Sequence, residues 1–240
     1  MLFIAIDDLR PLLGAYGHQE VHSRRIDKLG DSGTVSLNAS CQFPVCGASR
    51  ASIMTGLRPE STGVLNLKTK MRDVHPDILT IPQYFKTNGY TTAAVGKIFD
   101  PRCVDGREHG DKESWSKPYN EGPDGTVPLV DKGKQAWGAF DGPDDGFTDG
   151  RIGRTGQETL KELAAEDEPF FVAVGFKKPH LPFNAPKRFG ICTMSQRSSW
   201  LPFRRIRMGT PDTVTGTRMK LGVMGAFPKK EKSLRRYKGN

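Results

Sequence analysis

No stretch of these 240 residues is apolar for long, and none approaches the roughly 20 residues that cross a bilayer. The first residues also lack the basic start, apolar core and small-residue cleavage site of a secretory signal. As written, the sequence reads as cytoplasmic, with no membrane partner. Cysteine is scarce. Cys41, Cys46, Cys103 and Cys192 have neither the number nor the spacing of a disulfide framework or zinc knuckle, so counting them does not set a redox compartment. A Cys41–Cys46 disulfide, or a plainly buried thiol, remains an ordinary explanation for Cys46. Acidic residues are missing from one end: residues 190–240 hold 2 Asp/Glu against 12 Lys/Arg, whereas residues 1–189 hold 25 against 24. The formal net charge of +9 therefore belongs to the tail. A basic nucleic-acid-binding protein, the non-enzyme alternative, would spread that charge over its folded part. No nucleic-acid partner is expected.

What is present is an alternation of short apolar runs and capped helical segments. Leu2 to Ile6 ends abruptly at Asp7-Asp8, as a buried strand does. A helix is expected over residues 24–31 with Ile26 and Leu29 facing inward, and a strand over Thr34 to Leu37. Ser49 reads as an N-cap opening a helix to Thr55 that Gly56 stops. Thr80-Ile-Pro-Gln83 is a capping box with Pro in the first turn, opening a helix that Gly89 closes. Thr91 to Val95 is a strand, and residues 100–150 a long excursion with little regular structure. Thr155-Gly-Gln-Glu158 reads as a second capping box for a helix to Ala165, followed by a strand from Phe170 to Gly175 and a Pro-punctuated loop from Lys177 to Pro186. Such alternation predicts an α/β layer structure with a mainly parallel sheet.

Ligands of such sheets bind beyond the carboxyl ends of the strands. Asp7-Asp8, Lys97 and Lys177-Lys178-Pro-His180 lie at those ends, and Cys46 and Arg50 lie where a loop enters a helix, a place that attracts anions. Adjacent acids such as Asp7-Asp8 usually just terminate a strand, but carboxylate oxygens are also what a hard divalent cation prefers. Arg50 has the ordinary reading of a surface Arg at a helix start, and His180 that of a structural His in a Pro-rich loop. Lys178 is as easily a solvated side chain as a ligand.

Cys46-Gly-Ala-Ser-Arg-Ala-Ser-Ile-Met-Thr-Gly56 resembles the signature of the sulfatase family, C-x-P-S-R or a close variant followed by a helix and a Thr-Gly turn. Around it stand Ile6-Asp-Asp-Leu-Arg-Pro11, Ile81-Pro-Gln-Tyr-Phe-Lys86, Asn88-Gly-Tyr90, Val95-Gly-Lys97 and Lys178-Pro-His-Leu-Pro-Phe183. In this order they are similar to the iduronate-2-sulfatase branch and its bacterial members, across residues 1–189. The resemblance implies an alkaline-phosphatase-like α/β sulfatase domain, truncated after its N-terminal part. It implies a sulfuric ester hydrolase acting on a sulfated carbohydrate such as iduronate 2-sulfate. Cys46 would be converted to formylglycine by a formylglycine-generating enzyme; one hydroxyl of its hydrate attacks sulfur and the other helps expel sulfate. Ca2+ rather than Mg2+ would be held by Asp7, Asp8 and the modified Cys46. Arg50 would hold the formylglycine hydroxyl, Lys97 a sulfate oxygen, His180 the sulfate or the leaving oxygen, and Lys178 would share that pocket. A phosphoesterase or phosphonate hydrolase of the same superfamily is the alternative, although many phosphatases use Ser or Thr where this chain has Cys46.

Two positions depart from the pattern: Ala48 replaces the Pro read by the modifying enzyme, and Asp100 stands where eukaryotic members have His in G-K-x-F-H. The resemblance stops after Phe189. One inserted T near that codon lets permitted codons read on as a stretch containing WDLYD, ELAP and RRYGG, which resemble what the family places after its K-P-H loop. Residues 190–240 are therefore expected to be a non-homologous basic tail produced by a frameshift, the alternative being a genuine tail that binds an acidic partner. Met1 directly begins the first strand, so a leader could precede it in a longer gene, in which case the parent enzyme would be periplasmic or secreted. The second metal pair and further substrate-binding Lys that the family carries in its later half cannot be placed on this sequence.

Overall fold

The computed structural model describes residues 1–19, 21–122 and 137–189. The predicted basic tail, Cys192 included, lies outside the described residues. Strand β1 is Leu2–Ile6. It is followed by helices α1 Arg24–Asp31, α2 Cys46–Thr55, α3 Pro59–Thr62, α4 Met71–Val74 and α5 Ile81–Thr87. Strand β2 is Thr91–Gly96, β3 Trp137–Phe140, then helix α6 Thr148–Ala164, β4 Phe170–Phe176 and β5 Phe183–Pro186. Strands β1, β4 and β2 form one parallel sheet in that order, and β3 pairs in parallel with β5 in a second. The expected mainly parallel α/β architecture is the one observed.

The central strand explains why the sheet needs two covers. Along β4, Phe171 and Ala173 pack to one face with Ala48, Ala51 and Met54 of α2. Val172 and Val174 pack to the other with Ile152 and Leu163 of α6. A parallel sheet buried on both faces reads as a continuous apolar run, as Phe170 to Phe176 does. Helix α6 lies over β4 and β2, while on β1 Leu2 and Ile4 remain about half exposed, at 45% and 51%. No described helix is long and apolar enough to cross a membrane.

Several local expectations are corrected. Helix α1 has its predicted bounds, but no residue of it is buried, and Ile26 and Leu29 are exposed. Residues 34–37 form no strand; Val35 lies against Gly30 of α1 instead, and Leu37 is exposed. Ser49 is not a cap. Its amide already donates to the Val45 carbonyl at 2.9 Å, because Gly47 and Ala48 are small enough to bury one turn earlier, so α2 starts at Cys46. The Thr80 cap holds, its side chain accepting from the Gln83 amide at 3.2 Å, but the Gln83 side chain turns to Arg72. Residues 155–158 lie inside α6, which begins at Thr148. The glycines that disguise this helix permit close packing, since a Cβ on Gly156 would lie 2.9 Å from Val174. The excursion 100–150 and the loop 177–186 each hold one strand of the β3–β5 pair. Cys41, Cys46 and Cys103 are all free thiols, so the Cys41–Cys46 disulfide is not formed.

The carboxyl ends of β2 and β4 approach too closely for any side chain. Gly96 has φ +79°, and a Cβ there would sit 2.2 Å from the Gly175 carbonyl oxygen; a Cβ on Gly175 would sit 2.0 Å from that of Lys97. The crossing is tied by the Lys97 amide donating to Gly175 O at 2.7 Å. Gly96→Ala is expected to destabilise the fold by about 2 kcal/mol or more, combining a left-handed backbone with a backbone collision. A urea denaturation midpoint equal to wild type would show that the crossing has slack the geometry does not reveal.

Candidate functional site

Four chain segments meet at the carboxyl edge of the sheet. Asp7 follows β1, its amide donating to Phe176 O at 3.1 Å. Lys97 follows β2. On α2, Cys46 and Arg50 are one turn apart and so share a face. The buried Asp7 carboxylate takes both cations: Arg50 Nη2 lies 2.9 Å from Oδ1 and Lys97 Nζ 2.6 Å from Oδ2. Arg50 Nη1 donates to the carbonyls of Lys97 (2.5 Å) and Ile98 (3.0 Å). Burial pushes the Asp7 carboxyl up, but the two cations outweigh it and hold it below the usual carboxylate range. Arg50 is thus an internal strut rather than a surface Arg, and it makes no hydrogen bond to Cys46 among the described residues.

Cys46 reaches the cluster through Asp100. Its Sγ donates to Asp100 Oδ2 at 3.1 Å, and Lys97 Nζ lies 3.8 Å from the same oxygen. Arg102 grips the other side of Asp100, with Nε 2.8 Å from Oδ1 and Nη2 2.9 Å from Oδ2. Burial raises the Asp100 carboxyl, yet these donors hold it far below the usual range. The Cys46 thiol is pushed up, first by burial and then by the Asp100 carboxylate, against the pull of Lys97. The sulfur is therefore kept protonated.

The last segment is Lys177 to Pro182. The partly buried Asp149 carboxylate, near the start of α6, accepts from the amides of Lys177 (2.9 Å) and Lys178 (2.8 Å) and fixes the turn. Lys178 does not project toward Cys46. Its Nζ donates to the carbonyls of His180 (2.9 Å) and Pro182 (2.7 Å), and burial lowers its pKa. It holds its own loop. His180 Nδ1 bonds to Leu181 O at 2.7 Å, which leaves Nε2 turned to Asp8 at 3.7 Å. Asp8 itself is half exposed, with φ +57°. Asp7, Lys97, Asp100, Arg102, Lys178 and His180 all line one cavity of about 590 Å3.

The structure thus brings Asp7, Arg50 and Lys97 together with Cys46 beside them, and His180 and Lys178 line the same cavity as Asp7 and Lys97. Sequence reasoning missed Asp149, which nothing in the sequence distinguishes. It noticed Asp100 only as a departure and overlooked Arg102, although Asp-Pro is a turn signal and the Arg102 amide does donate to Asp100 Oδ1 at 3.2 Å.

For Ca2+ the fit is incomplete. Among the described residues no group of three or more His, Cys, Asp or Glu side chains is gathered to hold a metal ion. Both Asp7 oxygens already face cations, and Asp8 turns to His180. A cation that takes about 6–8 oxygens does not find them in these side chains alone.

The buried Asp7 pair generates a prediction. Asp7→Asn leaves Arg50 as an uncompensated buried charge, so the variant is expected to lose about 3–5 kcal/mol of stability. Urea titration followed by circular dichroism would measure it. A variant as stable as wild type would reduce Asp7 to the end of a strand.

A family profile described as Sulfatase matches residues 1–191. Human iduronate 2-sulfatase is 36% identical over 207 residues, covering 79% of this chain and 36% of that protein. A protein named Sulfatase from Formosa agariphila is 32% identical over 207 residues, covering 79% of this chain and 40% of its own length. Among solved structures, Ps i-CgsB in complex with k-i-k-neocarrahexaose superposes with a TM-score of 0.60 at 20% identity, covering 82% of this chain and 49% of that one. The chain spans between about a third and two fifths of the length of these curated relatives.

Proposed function

The chain belongs to the sulfatase family, and from that membership we propose that its chemistry is hydrolysis of a sulfate ester on a sulfated sugar, with residue 46 carrying the reacting group. The observation that supports this most is the position of Cys46. It opens α2 and donates to Asp100, a wall residue of a cavity that also presents Lys97 and His180. A thiol kept protonated by burial and a neighbouring carboxylate is a poor nucleophile, which favours formylglycine as the working form of this side chain. That group, as its hydrate, would supply an oxygen nucleophile for sulfur and a second hydroxyl for sulfate release.

The chain's own residues then have definite tasks. Asp100 accepts a hydrogen bond from the group at position 46 and so orients it. Lys97, bound to Asp7 on one side, offers positive charge to a sulfate oxygen on the other. His180, its Nδ1–H held by the Leu181 carbonyl, presents Nε2 to the ester oxygen as it leaves and gives it a proton from the imidazolium form of the ring. Arg50 holds Asp7 and the Lys97 carbonyl, and so fixes both without touching substrate. Lys178 and Asp149 together hold the turn that carries His180. Ca2+, assigned by resemblance to Asp7, Asp8 and residue 46, enters none of these steps. A cation there would need oxygens beyond the described side chains. The name of the human relative and the oligosaccharide in the neighbouring structure support a sulfated sugar, iduronate 2-sulfate included.

Co-expressed with a formylglycine-generating enzyme, the peptide containing Cys46 is expected to appear by mass spectrometry as aldehyde or hydrate. Only unmodified thiol would overturn the formylglycine reading, with Ala48 as the reason to examine first. Because the oxygen set is incomplete, the 240-residue chain alone is expected to show no Ca2+-dependent turnover of 4-methylumbelliferyl sulfate. Turnover of the corresponding phosphate with none of the sulfate would replace the sulfatase reading by a phosphoesterase one.

A further inference from the structure

The ammonium of Lys97 stands at a point where negative groups converge. Its Nζ lies 2.6 Å from Asp7 Oδ2 and 3.8 Å from Asp100 Oδ2. Cys46 Sγ reaches that same Asp100 oxygen at 3.1 Å. Two carboxylates gathered at one sheet edge repel each other, and a single side chain from the end of β2 answers both. The lysine side chain is 13% exposed, so solvent screens its charge little.

The side chains around it do not suit a divalent cation. Both Asp7 oxygens are already bonded to a cation, Arg50 taking Oδ1 at 2.9 Å. Asp8 is half exposed and faces His180 Nε2 at 3.7 Å. The Cys46 thiol donates a hydrogen bond to Asp100, and a protonated sulfur is a poor ligand for a hard ion. Charge points the same way. Asp7, Asp8 and Asp100 are matched by Arg50, Lys97 and Arg102, three against three, so nothing is left to offset two further positive charges. The facing wall supplies no surplus of carboxylates, since Asp149 and Glu121 stand there among Lys177, Lys178 and Arg107.

We propose that Lys97 is the resident cation of this site. Its ammonium holds the place between Asp7 and Asp100 that a divalent ion would otherwise take, so the chain keeps its fold and its site without a metal. Ca2+, which the family resemblance assigns to Asp7, Asp8 and residue 46, is not held by this chain alone. The inference concerns the resting site and is tested with no sulfate ester present, so its outcome is separate from that of the sulfatase reading.

The test uses the full 240-residue chain with Ca2+ alone as the probe, read by titration calorimetry and by thermal melting followed with circular dichroism. Wild type is expected to give no binding isotherm at millimolar Ca2+ and to melt at the same temperature in CaCl2 as in EDTA. Lys97→Met leaves the two carboxylates without the cation between them. It should melt lower than wild type in EDTA and regain roughly 2–4 °C in CaCl2. Its affinity for Ca2+ should exceed the limit set by wild type at least about tenfold. Lys97→Arg keeps the charge and should stay indifferent to Ca2+. Should Lys97→Met fail to fold in EDTA, refolding in CaCl2 decides: recovery there supports the exchange of one cation for the other, and failure there overturns it. Stoichiometric uptake of Ca2+ by wild type with a rise in its melting temperature would overturn the proposal. So would a Lys97→Met chain as stable as wild type in EDTA, or one indifferent to Ca2+, or a Ca2+ response in Lys97→Arg. A response that persists when Asp7→Asn is added to Lys97→Met would place the ion elsewhere and overturn it as well.

Discussion

A single buried carboxylate ties this site to this fold. Asp7 lies at the end of the first strand, is almost inaccessible to water, and receives Arg50 from α2 and Lys97 from the end of β2. A carboxylate in such a place is tolerable only if paired and fully hydrogen-bonded, and here each oxygen has its own cation. The arrangement is also stiff. Arg50 Nη1 also donates to the Lys97 and Ile98 carbonyls, so the helix carrying Cys46 is clamped to the strand end carrying Lys97. Shifting any one of β1, α2 or β2 would expose an unpaired charge, and the relative positions of Cys46 and Lys97 follow from that constraint.

The same economy appears on the opposite wall. Asp149 holds the backbone of Lys177 and Lys178, while the Lys178 ammonium holds the carbonyls of His180 and Pro182. A turn with two prolines has few amides of its own to donate, so side chains from within the loop and from α6 do the fixing. The consequence is that Lys178, itself a cavity residue, also holds the loop that carries His180.

What was legible in the sequence follows from how each signal arises. The parallel sheet was legible because strands buried on both faces must be continuous apolar runs, as Phe170 to Phe176 is, and because Thr80 caps α5 by a purely local bond. The convergence of Asp7, Arg50 and Lys97 was legible because strand ends in such sheets collect polar residues on one edge. The beginnings of α2 and α6 were not, since small residues there give no periodic signal and their helicity is set by packing against Phe171 and Val174. Nor was the fate of Thr34 to Leu37, where β propensity finds no strand edge to join. Asp149 was hidden for a different reason: its function lies entirely in two backbone amides 28 and 29 residues away, a relation that no local pattern encodes.

Position 100 shows how a departure from a motif can be conservative in charge and radical in geometry. A neutral histidine there, as in the eukaryotic pattern, would add no net charge to the wall. Asp100 with Arg102 adds none either, since each cancels the other. What changes is where the donors stand. The Asp–Arg pair places an acceptor beside residue 46 and its donors on the far side of Asp100. Asp100 can therefore orient the group at position 46. Neither residue could do this alone: an unpaired Asp100 would be a buried anion beside a thiol, and an untethered Arg102 would be a flexible surface side chain. In this chain the two residues act as a unit, since Arg102 holds both Asp100 oxygens.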